Sequence, residues 1–349
     1  MLLISGGGTF IYLLGGKTDW TWLNALSEQF EHPAWNGFTF YDFIFPLFLF
    51  LAGVSLTFSV RSGLAKGMTK RQIYRKAFFR MLILILLGIL YKNAPVPIWE
   101  PGQIRFGSVL GRIGLASFAG VLLFLNYNLR GRIIWFAAIL ISYYLALFLI
   151  PVPGFGAGDL SFEGNLVGWV DRNFMPGRLL QGTYDELAIL TQFPSLCLTI
   201  FGTLAGEILQ QEMEELKKIR RLSLIGVGCI LLALLWALHF PINKHLWTSS
   251  FIMLTAGMAS LFLVLFYWLI EVQGFRKWAF FFKVIGMNSL LIYLGYRFID
   301  FNHTAELLFS GIYSITAEKW HEVFRAVGAL LLVWFGLYIM YRNKIFVKV

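Results

Sequence analysis

A histidine, an asparagine and an aspartate stand where a long apolar run begins, in the stretch EHPAWNGFTFYDFIFPLFLFLAG of residues 31–53. Imidazole is the side chain best suited to accept and return a proton near neutral pH, and it can also carry an acyl group transiently. A carboxylate such as Asp42, bound to one nitrogen of the His32 ring, would orient the other nitrogen toward a substrate. The pair predicts general-base or nucleophilic catalysis. The alternative is a histidine at the level of the lipid headgroups without a chemical role.

Further polar side chains lie inside or beside apolar segments, where they are costly unless they face a cavity or a pathway. For those near a helix end, a solvated position among the headgroups is an equal alternative, whereas Arg112 and Asn288 lie deeper. Trp35 and Trp247 fit interfacial anchors better than platforms for a sugar ring. The full set comprises Arg105 and Arg112 in RFGSVLGRIG, Asp185 in TYDELAIL, Asn243 and Lys244 in PINKHLWTSS, and Asn288 and Ser289 in VIGMNSLLIY.

The elements that must position these residues are membrane-spanning helices. Of 349 residues, 58% are hydrophobic and 14% charged, against about 45–50% and about 25% in soluble domains. Apolar segments long enough to cross a bilayer recur along the chain, which predicts an all-α, polytopic membrane protein of about ten transmembrane helices in a single domain, 1–349. The predicted spans are 1–15, 39–61, 77–91, 107–127, 132–151, 188–210, 222–240, 248–271, 279–297 and 323–341.

The net charge of +10 follows membrane topology and does not indicate nucleic-acid binding. Most Lys and Arg residues fall in alternate loops and at the C-terminus, and the positive-inside rule makes that side cytoplasmic. Both termini are then cytoplasmic, while His32 and the long loop 152–187 lie outside, in the periplasm if the cell is bacterial. That loop is a candidate lid or an ordinary connection. The first span is short and rich in glycine, so we expect a truncated start.

The sequence offers little for metal, nucleotide or disulfide chemistry. Cys197 and Cys229 lie within apolar runs without CxxC spacing, and the five histidines show no HExxH or clustered spacing. We therefore expect no metal. There is no Walker loop, and the glycines at 6–8 lack the strand and helix of a dinucleotide site.

The chain resembles the heparan-alpha-glucosaminide N-acetyltransferase family along its whole length. HPAWNGFTFYDFIFPLFLFLAGVS is similar to the family's segment with His, Trp-Asn-Gly, Asp and Phe-Pro, and GSVLGRIG to its Leu-Gln-Arg-Ile-Gly helix, with Gly111 replacing the glutamine. YDELAILTQFPSLCLTIFGTLAGEIL, PINKHLWTSSF, GMNSLLIY and YRNKIFVKV match further segments in order. The family's opening segment is missing, and Ile4 stands where the family has an asparagine before Gly-Gly-Gly.

The resemblance implies an acyltransferase that moves an acetyl group from cytoplasmic acetyl-CoA to an extracytoplasmic amino sugar or glycan, in a bacterial inner membrane. It assigns catalysis to His32 and Asp42. The residues that would bind coenzyme A, through positive charge or hydrogen-bond donors, are Arg105, Arg112, Asn288 and Ser289. Asn36, Asn243 and Lys244 would bind the acceptor. A homodimer is a further expectation. The alternative is a transporter of a small polar or glycan-related solute, in which the same polar residues line a route.

Overall fold

A computed structural model describes residues 9–15, 17–96, 99–313 and 315–347 of the chain. Within these ranges the regular structure is helical, with isolated bridges in place of sheets. The prediction of an all-α protein is confirmed. The α-helices are α1 (Thr9–Leu14), α2 (Thr21–Glu28), α3 (Phe40–Ala65), α4 (Lys70–Asn93), α5 (Val109–Asn126), α6 (Leu129–Leu149), α7 (Leu166–Phe174), α8 (Gln192–Leu209), α9 (Glu215–Ala237), α10 (Ser249–Tyr267), α11 (Ala279–Met287), α12 (Ser289–Phe298), α13 (Phe301–Tyr313) and α14 (His321–Arg342).

Seven helices of the described chain are long and apolar enough to cross a membrane, and the bent pair α11–α12 would make an eighth. The seven are α3, α5, α6, α8, α9, α10 with the π-helical residues that follow it, and α14. Helix α4 covers the predicted span 77–91 as one continuous helix, but its N-terminal half is rich in Lys and Arg. Span 1–15 falls mostly outside the described residues. The polytopic architecture is confirmed, and the number ten is approximate.

The chain divides into two compact units. The unit that we call the terminal unit comprises residues 1–33, 39–44 and 269–349, and the central unit comprises 34–38 and 45–268. Helix α3 begins in the first of these and continues in the second.

Close backbone contacts through glycine hold the helices of the central unit together. A Cβ atom on Gly53 of α3 would lie 2.1 Å from the Thr199 carbonyl oxygen of α8, and one on Gly202 would lie 2.0 Å from the Phe50 oxygen. Small residues are the usual means of helix association in lipid, because lipid tails are as apolar as Leu and give no hydrophobic drive between helices. A larger residue at either glycine would force α3 and α8 apart.

The long loop 152–187 contains a short helix, α7, and is anchored to the central unit. Asn165 caps this helix, since its side-chain oxygen accepts a hydrogen bond of 2.7 Å from the Gly168 N–H. The buried Val167 packs in a cluster with Tyr143, Leu147 and Leu246. The loop therefore carries its own apolar core contacts and is more than an extended connection.

In the terminal unit, α11 and α12 meet at a bend of 70°. The predicted span 279–297 is therefore broken, and Asn288 lies between its halves. Val284 of α11 packs on α14 through Leu330, Val333 and Leu337. This contact fixes the first half of the broken span against α14.

Candidate active site

His32 and Asp42 meet in the terminal unit. The His32 Nδ1 atom lies 2.6 Å from the Asp42 Oδ1 atom, and the Asp42 side chain is 1% exposed against 40% for His32. Asp42 stands in the first turn of α3, where the positive end of the helix dipole favours a carboxylate. Its second oxygen accepts a hydrogen bond of 3.3 Å from the Thr39 N–H.

Hydrogen bonds between the start of α3 and the preceding segment bring the two side chains together. The Thr39 hydroxyl donates to the Glu31 carbonyl oxygen at 2.6 Å, and the Tyr41 N–H donates to the Gln29 carbonyl at 2.9 Å. The Tyr41 ring lies 4.3 Å from the His32 ring. These bonds fix the backbone of both the segment that carries His32 and the start of α3. The imidazole is therefore held in a defined position relative to Asp42.

The geometry defines which ring nitrogen could act as a base. A buried carboxylate at Nδ1 favours the tautomer with its proton on that nitrogen, which leaves Nε2 as the proton acceptor. The carboxylate would also stabilise the imidazolium that forms after proton transfer. The pair in the terminal unit is thus arranged for proton transfer by one histidine.

In the central unit, Arg112 is fully buried one turn into α5, whose N-terminus is capped by Ser108. Its Nη2 atom donates to the Glu186 carbonyl oxygen at 2.6 Å and to the Thr191 hydroxyl. The guanidinium carbon lies 4.5 Å from the centre of the Trp247 ring, a cation–π contact. Carbonyl, hydroxyl and aromatic groups thus hold the buried guanidinium.

Arg105 has a carboxylate partner in Asp185. Its Nε and Nη2 atoms donate to the two Asp185 oxygens at 2.6 and 2.8 Å, and both side chains are buried. The Asn93 amide holds the Arg105 backbone through two hydrogen bonds of 2.8 Å. This bidentate pair holds the start of the segment that carries Glu186 and Thr191, the two residues to which Arg112 donates.

A second buried acid, Asp171 of α7, supports the same segment. Its carboxylate accepts a hydrogen bond of 3.0 Å from the Asp185 N–H. Burial raises the pKa of the Asp171 carboxyl to about 6. A lone acid in VGWVDRNF gives no signal of this role in the sequence.

Asn36 and Asn243 also meet, in the central unit. The Asn243 amide donates to the Asn36 side-chain oxygen at 3.0 Å, and the Asn243 side-chain oxygen accepts from the Leu246 N–H at 2.9 Å. The neighbouring Lys244 places its Nζ atom 3.9 Å from the Glu186 carboxylate. Three predicted acceptor residues thus lie on one loop and its partner segment.

The structure adds four residues to this group that sequence reasoning missed or treated as anchors. The His245 Nδ1 atom lies 2.8 Å from the Tyr184 hydroxyl and 3.9 Å from the Glu186 carboxylate. The Trp35 ring stacks on the His245 ring at 5.3 Å and 9°. Burial raises the pKa of the Tyr184 phenol, so the hydroxyl keeps its proton. Only the runs YDE and NKH, each just before a span, could have suggested the group.

Asn288 and Ser289 lie at the break of the terminal unit. The buried Asn288 amide donates to the Ile345 carbonyl at 3.0 Å and accepts from the Val347 N–H at 2.9 Å. Ser289 is exposed at the first position of α12. The contacts of Asn288 hold the C-terminal segment. Ile4 and the glycines at 6–8 lie outside the described residues.

The sequence model of the family described as heparan-alpha-glucosaminide N-acetyltransferase, catalytic, matches residues 17–241. The chain belongs to this family. The match includes the His32–Asp42 pair, Arg112 and the Arg105–Asp185 pair, whereas Asn243, Lys244 and Asn288 lie beyond its end.

Two curated relatives carry the family name. Heparan-alpha-glucosaminide N-acetyltransferase of Mus musculus is 27% identical over 381 residues, which cover 92% of this chain and 56% of the relative. That of Homo sapiens is 27% identical over 379 residues, with the same coverage. The chain thus spans little more than half the length of the curated relatives it matches.

Proposed function

We propose that this protein is an integral membrane acetyltransferase that moves an acetyl group from cytoplasmic acetyl-CoA to an extracytoplasmic amino sugar or glycan. The observation that carries the proposal is the contact of 2.6 Å between His32 and the buried Asp42 in a member of this family. We propose further that residues 1–349 act as one domain in a bacterial inner membrane, with both termini in the cytoplasm.

His32 is the general base of the proposed reaction. Its Nε2 atom takes a proton from the acceptor amine or hydroxyl as that group attacks the acetyl carbon, while Asp42 holds the ring and balances the new charge. A base suits a histidine that is 40% exposed, because an acetylated imidazole open to water would hydrolyse. Proton transfer in one step with both substrates bound avoids that loss.

Of the residues proposed to bind acetyl-CoA, Arg112 is the strongest candidate. Arg105 already places two donors on Asp185, and Asn288 holds the C-terminal segment, so both would have to exchange partners to bind coenzyme A. Ser289, exposed beside the helix break, remains a proposed contact of the donor. The proposed acceptor site comprises Asn36, Asn243, Lys244, Glu186 and His245. Its Glu186 carboxylate can accept a hydrogen bond from the neutral amino group of an amino sugar, the form that attacks the acetyl carbon.

The test is the incubation of purified protein with labelled acetyl-CoA and a panel of amino sugars and neutral glycans. We expect labelled product with at least one acceptor, and His32→Ala should lower turnover by about 10²–10⁴-fold. The matched control is His303→Ala, an exposed histidine on α13 of the same unit. Equal turnover in the two variants would remove His32 from the mechanism.

The same experiment distinguishes the base from a nucleophile. A nucleophilic His32 would leave acetyl label on the protein when acetyl-CoA is supplied alone, with ping-pong kinetics. For the general base we expect no acetyl label on the protein at any stage, and labelled product only when the acceptor is present.

One feature favours the alternative, a transporter. Helices α11 and α12 form a span that is bent by 70°, and discontinuous helices often line the substrate site of transporters. Uptake of a labelled amino sugar into vesicles in the absence of acetyl-CoA, without formation of an acetylated product, would favour this function over acetyl transfer.

A further inference from the structure

Trp247 is a buried residue, contrary to the expectation of an interfacial anchor. Its side chain is 0% exposed, and its ring contacts the guanidinium of Arg112 at 4.5 Å. A tryptophan that anchors a protein at the headgroups has one wet end. The burial of Trp247 beside a cation requires a different explanation.

Three buried hydrogen-bond donors of this pair lack an acceptor among the described residues. They are the Nε1 atom of Trp247 and the Nε and Nη1 atoms of Arg112. Buried donors are satisfied in most proteins, and an unpaired one costs about 1–3 kcal/mol, more when the group is charged. Three such donors on two touching side chains indicate a place built to receive an oxygen atom.

The backbone at Trp247 is held in a conformation that side chains rarely adopt. Its φ angle is +49°, in the left-handed region. The turn around it is fixed by Asn243, whose side-chain oxygen accepts from Leu246 and whose backbone carbonyl accepts from the Thr248 N–H at 3.1 Å. Such strain persists where the surroundings over-determine it, and it concentrates at functional sites.

The groups in direct contact with Arg112 leave its positive charge available to a partial negative charge on a small group. The Arg112 guanidinium takes carbonyl and hydroxyl acceptors and lies against the rings of Phe45 and Trp247, at 5.8 and 4.5 Å. No carboxylate makes a direct ion pair with it within the described residues. A phosphate group needs several donors and considerable space, whereas a carbonyl oxygen needs two donors in a closed environment.

We propose that Arg112 and Trp247 bind the carbonyl oxygen of the acetyl thioester and stabilise the oxyanion that forms there. This inference rests on the proposed acetyl transfer. The acceptor atom forms a bond to the acetyl carbon and gives its proton to the base, while the carbonyl oxygen takes the electron pair. When the electron pair on the oxyanion forms the carbonyl bond again, the carbon–sulfur bond breaks. Coenzyme A leaves as a thiolate, which accepts the proton from the base. Asn243 is a positioning residue that holds Trp247 in place.

The direct test is isotope-edited infrared spectroscopy of the wild-type protein with acetyl-CoA labelled with ¹³C at the carbonyl. Donors at the oxygen weaken the carbonyl bond, so the stretch should shift to lower frequency than in solution. A bound carbonyl with its solution frequency would overturn the proposal and leave the three donors to buried water. This measurement requires no variant and therefore does not depend on the folding of a mutant.

Variants supply the kinetic test. Trp247→Phe keeps an aromatic ring over Arg112 and removes the N–H, and we expect kcat to fall by about 10²-fold with little change in KM for acetyl-CoA. Arg112→Lys keeps the charge and removes the planar fork, with the same expectation for kcat. The control is Trp169→Phe, a half-buried tryptophan on α7.

The outcomes separate the two proposals. A wild-type protein that transfers no acetyl group would refute the proposed function, and this inference with it. A wild-type protein that transfers acetyl while Trp247→Phe is as fast as Trp169→Phe would refute the carbonyl site alone. Loss of the infrared shift in Trp247→Phe, with acetyl-CoA still bound, would support it.

Discussion

The exchange of Asp42 for asparagine tests the catalytic pair with the smallest change of shape. Asp42→Asn keeps an oxygen for the Thr39 N–H but removes the charge that faces the His32 Nδ1 atom at 2.6 Å. An amide can also turn its NH₂ group toward that nitrogen, which would favour the other tautomer and place the proton on Nε2. The Nε2 atom would then already carry a proton and could not accept one from the substrate.

The expected magnitude follows from the hydrogen bond that is lost. A hydrogen bond to a charged group contributes about 1.5–3 kcal/mol, and each 1.36 kcal/mol in the barrier is tenfold in rate. Because the Asp42 side chain is 1% exposed, water does not replace the lost interaction. We expect kcat to fall by roughly 10–150-fold from the charge alone, and by up to about 10⁴-fold when the wrong tautomer dominates.

The assay is initial-rate kinetics with labelled acetyl-CoA at saturating acceptor, alongside thermal unfolding in detergent. Glu31→Gln is the matched control, since it removes an exposed carboxylate directly beside the same histidine. KM for acetyl-CoA and the melting temperature should stay near the wild-type values. Asp42→Asn protein that is folded and keeps at least half of the wild-type kcat would refute the role of this contact in proton transfer.

Three further predictions concern the stability and the topology of the protein. Arg105→Ala should cost about 3–5 kcal/mol of unfolding free energy, because Asp185 stays buried without its partner; thermal unfolding at the wild-type temperature would contradict it. The unfolding free energy of wild type should fall by up to about 3 kcal/mol relative to that of Asp171→Asn as pH rises from about 4 to about 6. The reason is that the carboxyl ionises near pH 3.8 in the unfolded chain but, with its raised pKa, near 6 in the folded one. Parallel pH dependence of unfolding would contradict this. On intact cells, a cysteine in 62–74 should react only with permeant thiol reagents and one in 155–165 also with impermeant ones; labelling of both from the same side would contradict the topology.

The residue types of the catalytic pair could be predicted from the sequence, but their contact could not. His32 and Asp42 differ from the apolar run around them, so their chemistry is visible in the letters. Their approach depends on hydrogen bonds from the Thr39 hydroxyl and the Tyr41 N–H, and both acceptors are backbone carbonyl oxygens, of Glu31 and Gln29, which every residue carries. A pattern of side chains contains no information about such bonds.

Arg105 shows a different limit of the sequence. An arginine beside an apolar segment fits a phosphate contact, a headgroup contact or an ion pair equally well. The structure pairs it with Asp185, 80 positions along the chain, and no local pattern predicts a partner at that separation. The helices themselves were easier, because the apolar runs that form them are local and bilayer thickness fixes their length.

Asn288 and Arg112 both lie deep in apolar segments, and only the structure shows which of them has its hydrogen-bonding groups satisfied by the protein. Both are polar groups in apolar segments, and each must satisfy its donors and acceptors or lose stability. Asn288 does so within the protein, because its amide donates to Ile345 and accepts from Val347. Arg112 does so only in part, since its Nη2 atom has partners whereas Nε and Nη1 have none among the described residues. Of these two residues, Arg112 is therefore the one with hydrogen-bond donors still available to the substrate oxygen that we propose.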